Sequence, residues 1–355
     1  MSLSNLKYNK VVGIGGIGTG MLFHTKDNAT LGRSESRLAE LSDAKDHCKL
    51  HIVFNYTSVL LGSVAKVYPI GWLGKDANGA ALLEEIKSVG MNTSFISIDS
   101  KLPTMISICL QYPDRETCNF TASNSACNLV TPEYTEACME KAGIDQNTIV
   151  AAIPEVQVQS RVHLIKQGKK KGAFCVLSIP ESEAEEFKAS GVLGSTDLIA
   201  LNLNEAIALF SENDKQKMLK ESAANITEKL YADMKKINQK IMLLVTCGKA
   251  GAYSAGDNNI EFIPYFPAQV INTTGAGDAC LGGTMAGLAM GLPFQKGNND
   301  KSFGDTAITS AVELGTCCAG MAVETVDTIA TFVNKESINK KIEFYGFKKE
   351  NIFLP

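Results

Sequence analysis

Short apolar segments that alternate with helix-like segments constrain the fold of this 355-residue chain more than any other feature. The apolar segments have few polar positions, which is typical of strands buried on both faces. Helices between such strands favour one parallel sheet that is covered on both sides. We therefore predict a mostly parallel sheet between two layers of helices. The predicted strands are residues 10–14, 65–70, 148–153, 173–179, 198–201 and 241–246, and the clearest predicted helices are 80–89 and 225–237.

Two segments interrupt this alternation. Residues 25–49 are polar and mostly unpatterned, whereas residues 104–129 contain two strand-like segments, 105–112 and 118–122, joined by a polar turn. Such a pair is typical of an antiparallel hairpin, which cannot belong to a parallel central sheet. We expect it to form a small β lid over the ligand site. The predicted organisation is one domain over residues 1–355, with lid segments near 15–35 and 104–129 and a short C-terminal extension after 334.

Composition and charge exclude several classes of protein. A net charge of −4, from 34 Lys and Arg against 38 Asp and Glu, argues against a nucleic-acid or anionic-membrane binder. Residues 307–323 are the nearest candidate for a membrane span, but Glu313 interrupts them, so they predict a packed interior helix. The ten cysteines include no C-x-x-C pair, and the four histidines form no zinc-binding pattern. We expect reduced, buried thiols in a cytoplasmic protein.

Residues 13–18, GIGGIG, follow the first predicted strand and match G-x-G-x-x-G. This pattern alone is a weak indication of a dinucleotide site. No clear amphipathic helix follows it, and no second strand ends in an acid about twenty residues further on, as the dinucleotide fold requires. Glycines that let the backbone approach a ligand, or that fit a close crossing, explain the segment better. A dinucleotide oxidoreductase stays as an alternative.

Residues 272–278, NTTGAGD, lie between an apolar, β-prone segment at 262–271 and a segment with helical spacing. A strand, a glycine turn and a helix start would direct several backbone N–H groups at one point, which is an anion site. Asp278 would repel a bound phosphate there, but it could take a proton from a hydroxyl that attacks the phosphate. The alternative is an ordinary N-cap aspartate after a flexible turn.

Asn202 and Glu205 follow the predicted strand 198–201. An amide and an acid at the carboxyl end of a strand can hold the water ligands of Mg²⁺ beside a phosphate. Alternatively, Asn202 or Asn204 caps a helix that begins at Glu205.

Thr246, Gly248 and Gly251 follow the predicted strand 241–246. A threonine and two glycines leave room for a planar ring or a ribose against the backbone. A plain turn is the alternative.

Taken in order, these motifs resemble those of the ribokinase or PfkB family of sugar and nucleoside kinases, from about residue 10 to about 333. The segment TTGAGD at 273–278 is the most specific match. Residues 71–79 and 90–92 are similar to the family's glycine–acid turn and the end of the helix after it. The remaining matches are N-x-x-E at Asn202 and Glu205, and T-x-G-x-x-G at Thr246, Gly248 and Gly251.

The resemblance implies a ribokinase-like three-layer α/β/α sandwich with a small β lid, ATP as phosphoryl donor and Mg²⁺ as cofactor. Asp278 would be the general base, and the amides of Gly275, Ala276 and Gly277 would form the anion hole. Asn202 and Glu205 would organise Mg²⁺, with Glu205 as its ligand. The nucleotide site would include Thr246, Gly248, Gly251 and Thr274.

The chain departs from the family pattern on the substrate side. Gly20 stands where the family usually has an aspartate that binds sugar hydroxyls, so one charged hydrogen bond to the substrate is expected to be missing. Of the family's G-G-x-x-x-N only Asn55 is present, because Leu50 and His51 replace the glycines. The candidate substrate-binding residues are Gly16, Gly20 and Asn55. Asn272 replaces an acid that helps to bind a monovalent cation, so activation by K⁺ is expected to be weak or absent.

The expected function is ATP-dependent phosphorylation of an alcohol, a hydroxymethyl group, on a sugar, a sugar derivative or a nucleoside. The alternatives are a catalytically silent nucleotide- or sugar-binding member of the same fold, and a kinase of a non-sugar alcohol such as a vitamin precursor. The expected partners are the small-molecule substrate, ATP and a second copy of the chain through the β lid, with no nucleic acid and no membrane.

Overall fold

The computed structural model describes residues 6–114, 117–296 and 307–344. Within these ranges the chain forms fourteen strands and eleven α-helices. The strands are β1 (Lys10–Ile14), β2 (Gly18–His24), β3 (Glu40–Leu41), β4 (Asp46–His47), β5 (Lys66–Gly74), β6 (Ile96–Asp99), β7 (Met105–Gln111), β8 (Thr117–Thr121), β9 (Thr148–Ala152), β10 (Phe174–Ser178), β11 (Leu198–Asn202), β12 (Met242–Thr246), β13 (Gly251–Gly256) and β14 (Asn259–Pro264). The helices are α1 (Lys49–Leu61), α2 (Ala77–Ser88), α3 (Pro132–Ala142), α4 (Val158–Lys170), α5 (Ala184–Ser190), α6 (Leu203–Ala208), α7 (Glu212–Met218), α8 (Ala223–Ile237), α9 (Ala276–Ala289), α10 (Ala311–Ala322) and α11 (Lys335–Phe344).

The central sheet has nine strands in the order β14-β13-β12-β11-β10-β9-β1-β5-β6. Strand β1 pairs in parallel with β5 and with β9, and parallel pairing continues from β9 through β10 and β11 to β12. Only the edge formed by β13 and β14 is antiparallel within the described residues. The prediction of a mostly parallel sheet is confirmed. The carboxyl ends of its parallel strands lie at one edge, where such sheets bind ligands.

Helices cover both faces of this sheet. Successive residues of β1 point to opposite sides, so Val11 belongs to one hydrophobic cluster and Val12 to the other. The first cluster includes residues of α1, α2, α9 and α10, and the second includes residues of α3, α4, α5, α6 and α8. The predicted three-layer α/β/α arrangement is therefore confirmed.

A second, smaller sheet contains β3-β2-β7-β8, with β4 also paired to β2. Strands β7 and β8 form the predicted antiparallel hairpin, and β2 pairs with β7 in parallel. The polar segment 25–49 contributes the short strands β3 and β4, and its last residue begins α1. The turn of the hairpin at 115–116 and the chain after 344 lie outside the described residues.

One sequence prediction about local structure is wrong. Strand β14 ends at Pro264 and the expected strand 262–271 does not continue, because Pro264 and Pro267 have no N–H to donate to a neighbouring strand. Eleven residues, 265–275, therefore separate β14 from α9. As expected, Gly18 begins a strand and not a helix, so residues 13–18 lack the helix start of a dinucleotide motif.

Within the described residues, no helix combines the length and the apolar character that a membrane span needs.

Candidate active site

Helix α9 begins at the ligand-binding edge of the sheet. Its N-cap is Gly275, whose φ of 80° lies in the left-handed region. A Cβ at Gly275 would stand 2.8 Å from the carbonyl oxygen of Thr328, so a side chain has no space there. Residues 279–289 of this helix are buried. A buried helix whose first turn is open presents its positive end to whatever lies in front of it.

The first turn of α9 leaves several amides without a protein acceptor. Among the described residues, the N–H groups of Gly275, Gly277 and Asp278 meet no carbonyl or side-chain oxygen. The Ala276 N–H differs from the prediction, because it donates to the Thr273 carbonyl at a long distance of 3.3 Å. The available anion-binding amides are therefore those of 275, 277 and 278.

Asn272 organises the turn before α9. It is buried, its Oδ1 accepts from the Thr274 amide at 3.0 Å, and its Nδ2 donates to the Val326 carbonyl at 2.8 Å. The Thr274 hydroxyl is buried and has no hydrogen-bond partner among the described residues. A buried hydroxyl without a partner is the kind of group that a ligand satisfies. The weak K⁺ response expected from Asn272 stays a prediction.

The Asp278 carboxyl lies among charges from other parts of the chain. It is partly exposed, and most of its surroundings are protein. Four charged side chains act on it: Lys49, Glu155, Glu205 and Asp46. Burial raises the pKa of Asp278 to about 7, the ammonium group lowers it and the three carboxylates raise it. A carboxylate of this pKa accepts a proton far more readily near neutral pH than an ordinary aspartate.

Lys49 is the first residue of α1, and sequence reasoning missed it. Its Nζ lies 3.7 Å from Glu205 Oε1. Burial alone lowers the pKa of Lys49, but the carboxylates of Asp278, Glu205 and Glu155 outweigh this and hold the pKa above its usual range. The ammonium group therefore stays charged and stands beside the helix N-terminus, where it can attract an anion.

Glu155 was also missed, although it follows the predicted strand 148–153 and so lies at the ligand-binding edge. Its φ of 78° is unusual for a residue with a side chain, which indicates that its surroundings hold it there. Its Oε2 accepts from the Lys49 amide at 3.0 Å, and burial raises the pKa of the carboxyl. A Cβ at Gly16 would overlap this carboxylate. Gly16 therefore makes room for Glu155.

Gly20 makes room for an acid in the same way. A Cβ at position 20 would overlap Asp46 Oδ2 and stand 2.7 Å from Ser107 Oγ. Asp46 is buried, and burial raises its pKa. The expected loss of one charged hydrogen bond to the substrate stays a prediction, but Asp46 of β4 brings a carboxylate beside Gly20 from another segment. No local motif marks Asp46 in the sequence.

Asn202 and Glu205 form a capping box at the start of α6. Asn202 Oδ1 accepts from the Glu205 amide at 2.9 Å, and Glu205 Oε2 accepts from the Asn202 amide at 2.8 Å. The capping alternative is thus present, with Leu203 and not Glu205 as the first helical residue. Glu205 Oε1 takes no part in the cap and faces Lys49. One carboxylate oxygen is left to serve a ligand.

Thr246, the first residue of the T-x-G-x-x-G motif, lies near the first turn of α9. An added Cβ at Gly277 would lie 3.8 Å from Thr246 Oγ1, so the end of β12 adjoins the first turn of α9. Gly248 has a φ of 55°, and a Cβ there would meet no atom within 4 Å. Gly251 is packed instead, because a Cβ would overlap the Ile263 carbonyl. The open side of this turn is at Gly248.

Asn55 lies further along α1 and is buried. No described contact joins its side chain to the charged groups around Asp278, so its predicted role in substrate binding rests on the sequence alone.

Comparison with known proteins identifies a family and several relatives. The family described as pfkB family carbohydrate kinase matches residues 55–335. A bifunctional ribokinase/ribose-5-phosphate isomerase A of Fructilactobacillus sanfranciscensis is 26% identical over 283 residues, which cover 76% of this chain and 46% of that protein. The chain thus spans about half the length of this relative. A ribokinase of Bacillus subtilis is 27% identical over 234 residues, covering 65% of this chain and 71% of that protein.

Two solved structures share the fold. Ribokinase from Giardia lamblia superimposes with a TM-score of 0.75 at 17% identity, covering 95% of this chain and 99% of that chain. A nucleoside kinase from Burkholderia thailandensis, solved in complex with inosine, has a TM-score of 0.71 at 16% identity, with the same coverage. Since the family match extends over most of its length, the chain belongs to the pfkB family of carbohydrate kinases.

Proposed function

We propose that this protein transfers a phosphoryl group from ATP to an alcohol, a hydroxymethyl group, of a sugar, a sugar derivative or a nucleoside. The observation that carries the proposal is the position of Asp278. Its carboxyl, with a pKa of about 7, stands in the first turn of a helix whose free amides and neighbouring Lys49 attract an anion. Relatives that are ribokinases, and a structural neighbour that is a nucleoside kinase, support the substrate class.

Asp278 is the general base in this proposal. It accepts the proton of the attacking hydroxyl, so the oxygen becomes more nucleophilic as it approaches the phosphorus. The amides of Gly275 and Gly277, together with that of Asp278, donate to the oxygens of the transferring group. Donors fixed in place before the reaction stabilise the developing charge without reorganising. The Lys49 ammonium adds a positive charge on the same side.

Glu205 and Asn202 would serve Mg²⁺. Glu205 Oε1 is a carboxylate oxygen at the carboxyl end of β11 that the capping box leaves unused, and oxygen is the donor that Mg²⁺ prefers. Bound there, directly or through water, the ion would neutralise phosphate charge. Because Lys49 Nζ is 3.7 Å from this oxygen, the lysine and the ion would share the carboxylate.

Thr246, Gly248 and Gly251 would border the nucleotide, and Thr274 would contact its phosphates. The open space at Gly248 allows a flat group to lie against the backbone. The unpartnered Thr274 hydroxyl lies two residues before the first turn of α9 and can donate to a phosphate oxygen.

Asp46 and Glu155 would bind substrate hydroxyls. Their carboxylates fill the spaces beside Gly20 and Gly16, the glycines predicted to face the substrate. Two carboxylates that accept hydrogen bonds suit an acceptor with several hydroxyl groups, since charge-assisted hydrogen bonds are among the stronger ones. A polyhydroxylated sugar or a ribose therefore fits better than an alcohol with a single hydroxyl.

A phosphorylation panel tests the proposal. The purified protein would be incubated with ATP and Mg²⁺ and with sugars, sugar derivatives, nucleosides and vitamin-like alcohols, and products would be detected by mass spectrometry. We expect a monophosphate of a polyhydroxylated acceptor. Thermal stabilisation by ATP and Mg²⁺ without any product would favour the catalytically silent alternative. A product from a non-sugar alcohol alone would favour a kinase of such alcohols. Stabilisation by NADH but not by ATP would contradict both kinase hypotheses.

A further inference from the structure

His47, His51 and Glu85 form a cluster that the proposed reaction does not use. His47 ends β4, His51 stands in the first turn of α1 and Glu85 belongs to α2. One ring nitrogen of each histidine and one carboxylate oxygen all lie within 4.8 Å of one another. No zinc-binding pattern marks this cluster in the sequence, because Glu85 comes from α2 and because the end of β4 separates the two histidines.

Two of the three side chains are in direct hydrogen-bond contact and would move apart slightly to bind a metal ion. His47 Nε2 lies 2.9 Å from Glu85 Oε2. Ligand atoms around a tetrahedral Zn²⁺, with bonds of about 2.0–2.1 Å, stand roughly 3.3 Å apart. The other ring nitrogen, His47 Nδ1, lies 3.3 Å from the Thr328 hydroxyl. A hydrogen bond on that side orients the ring, as is usual for histidines that bind metals.

The third side chain has a buried nitrogen without a hydrogen-bond partner. His51 is 3% exposed, and its Nδ1 is buried with no hydrogen-bond partner among the described residues. Imidazole nitrogen is the commonest metal ligand in proteins. A buried polar side chain without a partner is costly, and a metal ion would supply the partner.

We propose that His47, His51 and Glu85 bind one Zn²⁺ ion, with a fourth position open to water. Two imidazoles and a carboxylate are a ligand set for Zn²⁺, whereas Mg²⁺ and Ca²⁺ prefer oxygen ligands throughout. Glu85 is 35% exposed, which gives the ion a path from solvent.

Lys45 competes with the ion for Glu85. Its Nζ lies 3.1 Å from Glu85 Oε1, and its side chain is 67% exposed and so free to turn into solvent. Bound Zn²⁺ would join β4, α1 and α2. Asp46 precedes His47 and Lys49 follows it closely, so the ion would fasten the segment that carries two of the charged residues near Asp278.

Binding is tested without ATP and without any assay of phosphoryl transfer. Untagged, chelator-treated protein would be titrated with Zn²⁺ in competition with a chromophoric chelator, and Co²⁺ would be used for absorption spectra. We expect one Zn²⁺ per chain and a Co²⁺ spectrum typical of tetrahedral nitrogen and oxygen ligands. His51→Gln and Glu85→Gln should each weaken Zn²⁺ binding at least about tenfold. Lys45→Gln should strengthen it about two- to fivefold, because a competing cation is removed.

His163→Gln is the matched control. His163 Nε2 also contacts a glutamate, Glu136, at 2.7 Å, but this pair does not belong to the candidate metal site among the described residues. This variant should bind Zn²⁺ as the unchanged protein does. The proposal would be overturned if Glu85→Gln bound Zn²⁺ as tightly as the unchanged protein does. A thiolate-to-Co²⁺ charge-transfer band in the absorption spectrum would also overturn it, because cysteines would then be the ligands. Glu85 is partly exposed, so Glu85→Gln remains decisive if His51→Gln fails to fold. No strengthening in Lys45→Gln would also count against the site.

Discussion

At the scale of single residues, the site depends on acids and bases that lie far apart in the chain. Asp278 lies in the first turn of α9, Lys49 begins α1, and Glu155 follows β9. Lys49 and Glu155 both change the proton affinity of Asp278, and both acids raise that of Lys49, because the three groups share a poorly hydrated space. Asp278 therefore has the pKa of a base that works near neutral pH, although no feature of the GAGD segment alone sets it.

The pH dependence of the reaction follows from this pKa. Burial raises the pKa of Asp278 to about 7, and the base form is the deprotonated one. We expect kcat/KM to be constant above about pH 7 and to fall about tenfold per pH unit below it. Lys49→Met removes the charge that lowers this pKa, so the inflection should move to higher pH. A kcat/KM that stays flat between about pH 5 and 8, measured with a saturable acceptor, would contradict the assignment.

Gly20→Ala tests the role of Asp46. The added Cβ would overlap Asp46 Oδ2, so the carboxylate must move. Loss of a charged hydrogen bond should raise the acceptor KM about tenfold or more and leave the KM for ATP unchanged. Steady-state kinetics with each substrate varied in turn measures both, and Asp46→Asn should give the same pattern. An unchanged acceptor KM in Gly20→Ala would show that Asp46 does not bind the substrate.

The residue scale is also where sequence reasoning was weakest. Asp278, Glu205 and Thr246 stand in motifs at strand or helix ends, so local spacing was enough to find them. Asp46 and Lys49 stand in a polar segment without periodicity, and only the folded chain brings them to the site. Glu155 could have been found, because it follows a buried strand at the edge where parallel sheets bind ligands.

At the scale of elements, α9 is held by close contact with two other helices. A Cβ at Gly282 would overlap the Val53 carbonyl of α1, and a Cβ at Gly315 of α10 would overlap the Cys280 carbonyl of α9. Such contacts bring helix backbones close together and leave no space for a methyl group. The first turn of α9, with its amides and Asp278, therefore has a rigid support.

Gly315→Ala should destabilise the fold. The new methyl group must push α9 and α10 apart, which typically costs about 1–3 kcal/mol. Gly194→Ala is the control, because the nearest atom to a Cβ at position 194 would be Ile237 Cγ2 at 3.9 Å. The free energy of unfolding of this variant should change by less than about 0.5 kcal/mol. Urea denaturation gives the free energy of unfolding of each variant. Equal stability of the two would show that the α9–α10 contact is not tight.

The elements themselves were mostly predictable. Buried parallel strands such as β1 and β9 have continuous apolar runs, and their predicted bounds differ from the structure by one residue at most. Strand β5 runs on to Gly74, beyond the predicted end at 70, because residues 71–74 pair with β6. The strand expected before the glycine turn ends early at Pro264, which shows that β propensity alone does not form a strand without pairing donors.

At the scale of the whole molecule, the second sheet exposes an apolar row. Met21, Ile108 and Phe120 are direct neighbours across β2, β7 and β8, and their exposed fractions are 47%, 42% and 72%. A contiguous exposed apolar surface is typical of a contact with another protein. It supports the proposal that two copies of the chain associate through this sheet.

Phe120→Asp should separate such a dimer. A charge on β8, at one end of the apolar row, would have to be buried without a partner in the dimer, which is unfavourable. Sedimentation equilibrium should show a dimer for the unchanged protein and a monomer for the variant, and Phe344→Asp, on the exposed end of α11, should stay dimeric. A monomeric unchanged protein would contradict the association.

The central claim is that Asp278 removes the proton of the acceptor hydroxyl. Its most direct test is Asp278→Asn, which keeps the shape of the side chain and removes the base, with single-turnover phosphoryl transfer and ATP affinity measured side by side. The account predicts a rate at least about 10²-fold lower and an ATP dissociation constant close to that of the unchanged protein. A variant that transfers phosphate at nearly the normal rate would contradict it.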